Sequence, residues 1–194
     1  NDQINYEYPG NIAFQVDESV SGEITFQAGF NHALVEDIKL SHKALLKFKS
    51  SSNASIEKLL SYVWHFQKFI TLATHNDVYL KSVVLKSDEY YQAANGKRYL
   101  DDLKLYYQQR NIDPKIKGEH FHTFLFSYTE ISDDFQSIIQ QWYRHKDTIS
   151  PILDILHESF SNTSRFTENE FINVVQGLEG FHRRVRQNTG GLKE

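Results

Sequence analysis

His120 and His122 stand two residues apart, so on a β-strand both imidazoles leave the same face, a spacing that serves two metal ligands. A transition-metal site needs further donors, for which Glu119, His145 and His157 are the nominal candidates. The competing reading is a hydrogen-bonded histidine pair on a sheet face. Arg183, Arg184 and Arg186 form the sharpest basic cluster. Near the C-terminal end of a helix, such cations meet the negative end of the helix dipole, and Glu179, four residues before Arg183, supplies an intrahelical partner. The alternative is that their forked guanidinium groups touch RNA phosphate or an acidic patch on a neighbouring domain.

Paired carboxylates at Asp101 and Asp102, Asp133 and Asp134, and Glu168 and Glu170 invite comparison with glycosidase-like or metal-assisted chemistry. Each pair falls on a solvent-facing strand position or in a helix first turn, where charge is expected anyway. The signatures GxGxxG, GxxxxGK[ST], GxSxG and HExxH are all missing from the chain. No cofactor is therefore expected.

The elements that must position these residues are bounded by composition. The 194 residues are 40% hydrophobic and 24% charged, enough for a sizeable core and unlike a disordered chain. A net charge of −4 gives no overall field that draws the chain to nucleic acid or an anionic membrane. The absence of Cys removes disulfides and thiolate chemistry and fits a reducing compartment, so the cytoplasm is the expected location. No run approaches the roughly 18 to 20 apolar residues of a transmembrane helix. A start at Asn1 and the lack of any Met are expected of a segment excised from a longer protein.

Alternation of apolar and polar residues predicts short strands over Ile12–Val16, Gly22–Phe26, Val35–Leu40 and Ala44–Phe48. The period then changes. Ile56, Leu59, Leu60, Val63, Ile70 and Ala73 predict a helix over about 56–73, with Ser55 as N-cap. Further strands are expected at Val78–Leu85, Tyr99–Tyr107 and Phe121–Tyr128, with a loop over Asn111–Glu119. Three helices follow: one behind Ser132, one opened by Ser150 and Pro151, and one from a Thr167–Glu170 capping box to Asn188. Gly177 and Gly180 inside the last helix call for close approach of a neighbouring element. The expected class is α+β, with a β-rich part carrying one long helix and then a bundle of about three helices. Residues 1–130 and 131–194 are expected to pack as one module.

One ordered series carries a resemblance. It runs from His120-Phe121-His122-Thr123-Phe124-Leu125 through Ile139, Trp142 and Tyr143 to Pro151, Leu153 and Leu156. It closes with Glu170-Phe171-Ile172-Asn173 and Gln176 to Arg184. This series resembles the N-terminal domain of ApeA-type proteins, a bacterial anti-phage (abortive infection) family whose full-length members carry a HEPN ribonuclease-like domain downstream. It reads best from Val78 to Arg184 and more weakly over the N-terminal strands.

The resemblance implies a non-catalytic sensor or regulatory domain whose main partner is a HEPN domain beyond Glu194. A phage-derived trigger and self-association are further partners that this reading allows. The nuclease motif of such domains places an Arg and a His four to six residues apart. No arginine in this chain has a histidine at that distance. Two other functions compete: a carbohydrate or small-ligand module that stacks Tyr90, Tyr91, Tyr106 and Tyr107, and a hydrolase built on His120 and His122.

Overall fold

The computed structural model describes residues 9–31, 39–76, 78–107, 124–161 and 168–188. Strands β1 (Ile12–Gln15), β2 (Val20–Asn31) and β3 (Lys39–Ser50) form an antiparallel sheet in that order. Helix α1 (Ile56–Thr74) follows the sheet. Two small pairings come next: β4 (Val83–Leu85) with β7 (Leu103–Leu105), and β5 (Tyr91–Ala94) with β6 (Lys97–Leu100). The chain ends in a one-turn helix α2 (Tyr128–Ile131), then α3 (Phe135–Arg144), α4 (Lys146–Ser161) and α5 (Glu168–Asn188). The α+β class expected from the sequence is the one observed.

The hydrophobic centre is aromatic and joins both halves. Phe14 of β1 stacks on Phe66 of α1 at 5.4 Å and meets Phe135 of α3 edge-on at 5.7 Å. Phe48 of β3 closes on Phe14 at 6.0 Å. Val16, Val20, Phe69, Ile139 and Tyr143 complete the buried cluster, with Phe48 half-buried against it. Register explains the position of Gly22, which pairs with Phe14 on one side and Phe48 on the other. A methyl group there would lie 2.2 Å from the Phe14 ring, so the strand stays bare to let the ring lie on it.

Helix α1 begins as expected, with the Lys58 N–H donating to the Ser55 hydroxyl at 3.2 Å. It ends at His75, whose left-handed backbone (φ 55°) turns its N–H onto the Leu72 carbonyl. Buried Thr71 accepts the Val78 N–H at 3.3 Å and so holds the departing chain against the helix.

Several expected boundaries move. The separate strands at Val35–Leu40 and Ala44–Phe48 become one strand from Lys39, with residues 35–38 outside the described set. Val78–Leu85 narrows to β4, because Val78 is already committed to α1. Tyr99–Tyr107 breaks at Asp101, whose N–H donates to Tyr90 at 2.9 Å. The hairpin β5–β6 was not anticipated, although Asn95-Gly96 carries the paired positive φ values (53° and 73°) of a tight two-residue turn.

Residues 124–127 are not a strand. The Leu125 N–H instead donates to the Ala73 carbonyl at 2.8 Å, satisfying an acceptor at the end of α1. Ser132 closes α2 rather than opening α3, whose N-cap is Asp134. Helix α4 starts five residues before Pro151, because the His145 carbonyl accepts the Thr148 and Ile149 N–H groups and opens the first turn there. Pro151 forfeits only a bond to the carbonyl of exposed Asp147, which water can satisfy. The Asn111–Glu119 loop and Thr167 of the proposed capping box lie outside the described residues.

Candidate functional site

The described polar groups concentrate where α1 meets the β1–β2 turn and α3. Asp17 accepts the N–H groups of Ser19 and Val20, both at 2.8 Å, and the Tyr62 hydroxyl at 2.6 Å. Burial alone raises its carboxyl, but the hydrogen bonds from Tyr62, Ser19 and Val20 outweigh that and hold it below the usual carboxylate range. The same burial and the adjoining carboxylate push the Tyr62 hydroxyl up to about 12. Tyr143 donates to the Tyr62 carbonyl at 2.8 Å, and burial keeps it protonated well above the usual phenol range.

His65 is the most enclosed titratable side chain in this network, with 2% of its surface exposed. Its Nε2 lies 3.1 Å from the Trp142 carbonyl, which can only accept, so that nitrogen carries the proton. The Trp142 indole returns a 3.1 Å bond to the His65 carbonyl, and the two rings stack at 5.0 Å. Burial pushes the imidazole down to about 4 against that hydrogen bond, with Lys146 and Lys68 adding to the push. A neutral, walled-in histidine of this kind joins helices and has no substrate within reach. Tyr62, His65, Phe66, Phe69 and Ala73 share helical spacing, and that periodicity is the sequence signal that would have marked His65 as a core residue.

The residues singled out from the sequence fall only partly within the described set. His120 and His122, together with Glu119, lie outside the described residues, as does the side chain of His157. His145 is exposed at the α3–α4 junction, where its backbone does the structural work. Among the described residues no group of three His, Asp or Glu side chains is placed to hold a metal ion.

Arg183 is exposed and lies 4.0 Å from Glu179, the intrahelical partner expected for it. Arg184 Nη1 donates to the Thr148 carbonyl of α4 at 3.2 Å, so it ties α5 to α4. The Arg186 side chain is outside the described set. Gly177 is buried against α4, but a Cβ there would sit 3.7 Å from Ile155 and 3.8 Å from Ile152, ordinary contact distances, so the packing leaves room for a methyl group. Gly180 has nothing within 4 Å of such a Cβ, so close packing does not explain it.

The four tyrosines proposed as stacking platforms are on or beside the small sheets. Tyr106 is almost fully exposed, the Arg98 guanidinium lies 4.6 Å from the Tyr91 ring centre, and Tyr107 donates to the Leu80 carbonyl at 3.0 Å. An open depression of about 490 Å³ lies elsewhere, on the solvent face of the large sheet, between Ala13, Gly22, Lys49 and Gln136. Three of its polar side chains are already engaged: Glu23 takes Lys47 at 3.3 Å and Asn11 at 3.1 Å. Gln136 binds both the N–H and the carbonyl of Gln15.

Residues 1–142 match the family described as ApeA N-terminal domain 1. The chain belongs to that family. The ApeA match starts at the first residue and takes in β1 to β3, the strands over which the resemblance had been read most weakly. It ends at Trp142, inside α3, so the series from Pro151 to Leu156 and from Glu170 to Arg184 falls beyond it. Seven of the eight buried core residues, Phe14 to Ile139, lie within the ApeA match, and the eighth is Tyr143. No curated protein and no solved structure matches the chain. No helix among the described residues is long and apolar enough to cross a membrane.

Proposed function

We propose that this chain is the non-catalytic sensor or regulatory part of an ApeA-like anti-phage defence protein, controlling a HEPN ribonuclease-like domain elsewhere in the same polypeptide. The observation that carries the reading is the ApeA N-terminal domain match over residues 1–142. Its site chemistry points the same way. The best-built polar network spends its hydrogen bonds on joining α1, α3 and the β1–β2 turn, with no acid, base and nucleophile held together around open space. Residues 1–130 and 131–194 act in this reading as one module, supported by the core that Phe14 and Phe66 share with Phe135 and Ile139. A phage component that shifted the packing of this core would displace α3, and with it the α4–α5 pair, passing the event towards the ribonuclease.

The test is phage protection by the full-length protein compared with a form lacking residues 1–194. The reading expects protection to be lost, or ribonuclease toxicity to become independent of infection. Protection that persists unchanged and still depends on infection would end it.

A further inference from the structure

We propose that the open face of α5 is a self-association surface, on which a second copy of this chain docks its own α5 in antiparallel orientation. Helix α5 covers α4 with the side that carries Gly177 and Val174. Its other side remains apolar. Phe171 is 73% exposed, Leu178 56%, Ile172 47% and Val175 37%. Phe171, Val175 and Leu178 are spaced by four and then three residues, the repeat of a helix seam that accepts a partner helix. So large an apolar strip on one helix is far from the scattered single residues that surfaces tolerate.

Charge selects the occupant and its direction. The α5 sequence ENEFINVVQGLEGFHRRVRQN holds three Glu and three Arg, with Glu168 and Glu170 at one end and all three Arg at the other. A parallel copy would set like charges side by side. An antiparallel copy, related by a two-fold axis between Val175 and Leu178, sets Glu168 of each chain beside the Arg183 end of the other. It also opposes the two helix dipoles head to tail. Such an interface is self-complementary, because one patch supplies both sides. Phe171 of each copy then packs between Leu178 and His182 of the other, and with the two α4 helices the assembly is a four-helix bundle.

This inference does not depend on the defence reading, and its test involves no phage. Sedimentation velocity of the 194-residue chain, from micromolar to tens of micromolar, is expected to show a species of twice 22.7 kDa. Phe171→Glu with Leu178→Glu should raise the dimer dissociation constant at least about tenfold. The circular dichroism spectrum should stay unchanged, and so should melting at concentrations well below the dimer dissociation constant, since both side chains already face water in the single chain. If the paired Glu substitutions disturb the helix, Phe171→Ser with Leu178→Ser carries the same expectation.

Orientation is tested separately. Glu168→Arg and Arg183→Glu should each weaken the dimer, and the two together should restore it. A chain that stays monomeric at the highest concentration would overturn the proposal, as would a dimer indifferent to the Phe171 and Leu178 substitutions. Charge reversals that fail to rescue one another would overturn the antiparallel register.

Discussion

His65 and Trp142 each lend a side-chain N–H to the other's backbone carbonyl, both at 3.1 Å, while their rings stack between α1 and α3. The pair satisfies two carbonyls inside helices and fixes the imidazole in its neutral form. The folded protein therefore refuses a proton that the unfolded chain accepts.

The first prediction is acid sensitivity. The His65 imidazole falls from an ordinary 6.5 to about 4 on folding. Between those values the unfolded state binds more protons, so stability rises with pH. The contribution is present in full above about 6.5, falls as the pH drops through the window and is gone by about 4, on the order of 3 kcal/mol at its largest. Asp17, held below its ordinary 3.8, adds a loss of the same sign at lower pH. Urea midpoints followed by tryptophan fluorescence should drop between neutral pH and about pH 4.5. In His65→Leu that drop should shrink sharply, and equal midpoints for the wild-type protein at both pH values would contradict the account.

Gly22→Ala should lower stability by about 1 to 3 kcal/mol, through overpacking against the Phe14 ring that sits 2.2 Å from the new methyl position. Adding Phe14→Leu to the same chain should recover part of the loss, because the smaller side chain vacates that space. Denaturant midpoints for the two single variants and the double variant measure the coupling.

Ile139 has no exposed surface and touches the core where both halves of the chain meet. Ile139→Ala should cost about 2 to 5 kcal/mol. One cooperative transition, seen alike by circular dichroism and fluorescence, is expected in this variant as in the wild type; separate transitions for strands and helices would contradict a shared core.

Gly177→Ala and Gly180→Ala should each stabilise the chain by about 0.5 to 1 kcal/mol through helix propensity. At Gly177 the added methyl meets Ile155 at an ordinary 3.7 Å, and at Gly180 it meets nothing. Gly177→Leu, by contrast, should drive α5 away from α4 and lower the melting temperature, whereas Gly180→Leu should not.

Local signals made much of this fold legible. Helix α1 is readable because Ser55 and the apolar period agree, and the structure uses both. The β5–β6 hairpin is equally marked by Asn95-Gly96, a turn signal that outweighs the weak alternation of its flanking residues. Ser150-Pro151 misled for a physical reason. The motif is a good local start signal, yet Ile152 and Leu153 of the same helix are buried and the first turn is opened by the distant-seeming His145 carbonyl. Arg184 shows where sequence runs out: its partner is a backbone carbonyl 36 residues away, and no spacing along the chain encodes that. The place of His65 in the apolar stripe of α1 marks it as a core residue, but nothing in the period points to Trp142 as its partner, 77 residues away.

The twin bonds from the Gln136 amide to Gln15 have a wider consequence. β1 is the outer strand of its sheet, and those two backbone groups face away from β2, where a foreign strand would otherwise attach. An invading peptide must first pull α3 off the rim, and α3 carries Phe135 and Ile139 in the protein's interior. Extension of the sheet past its β1 edge is thereby tied to loss of α3 from the core.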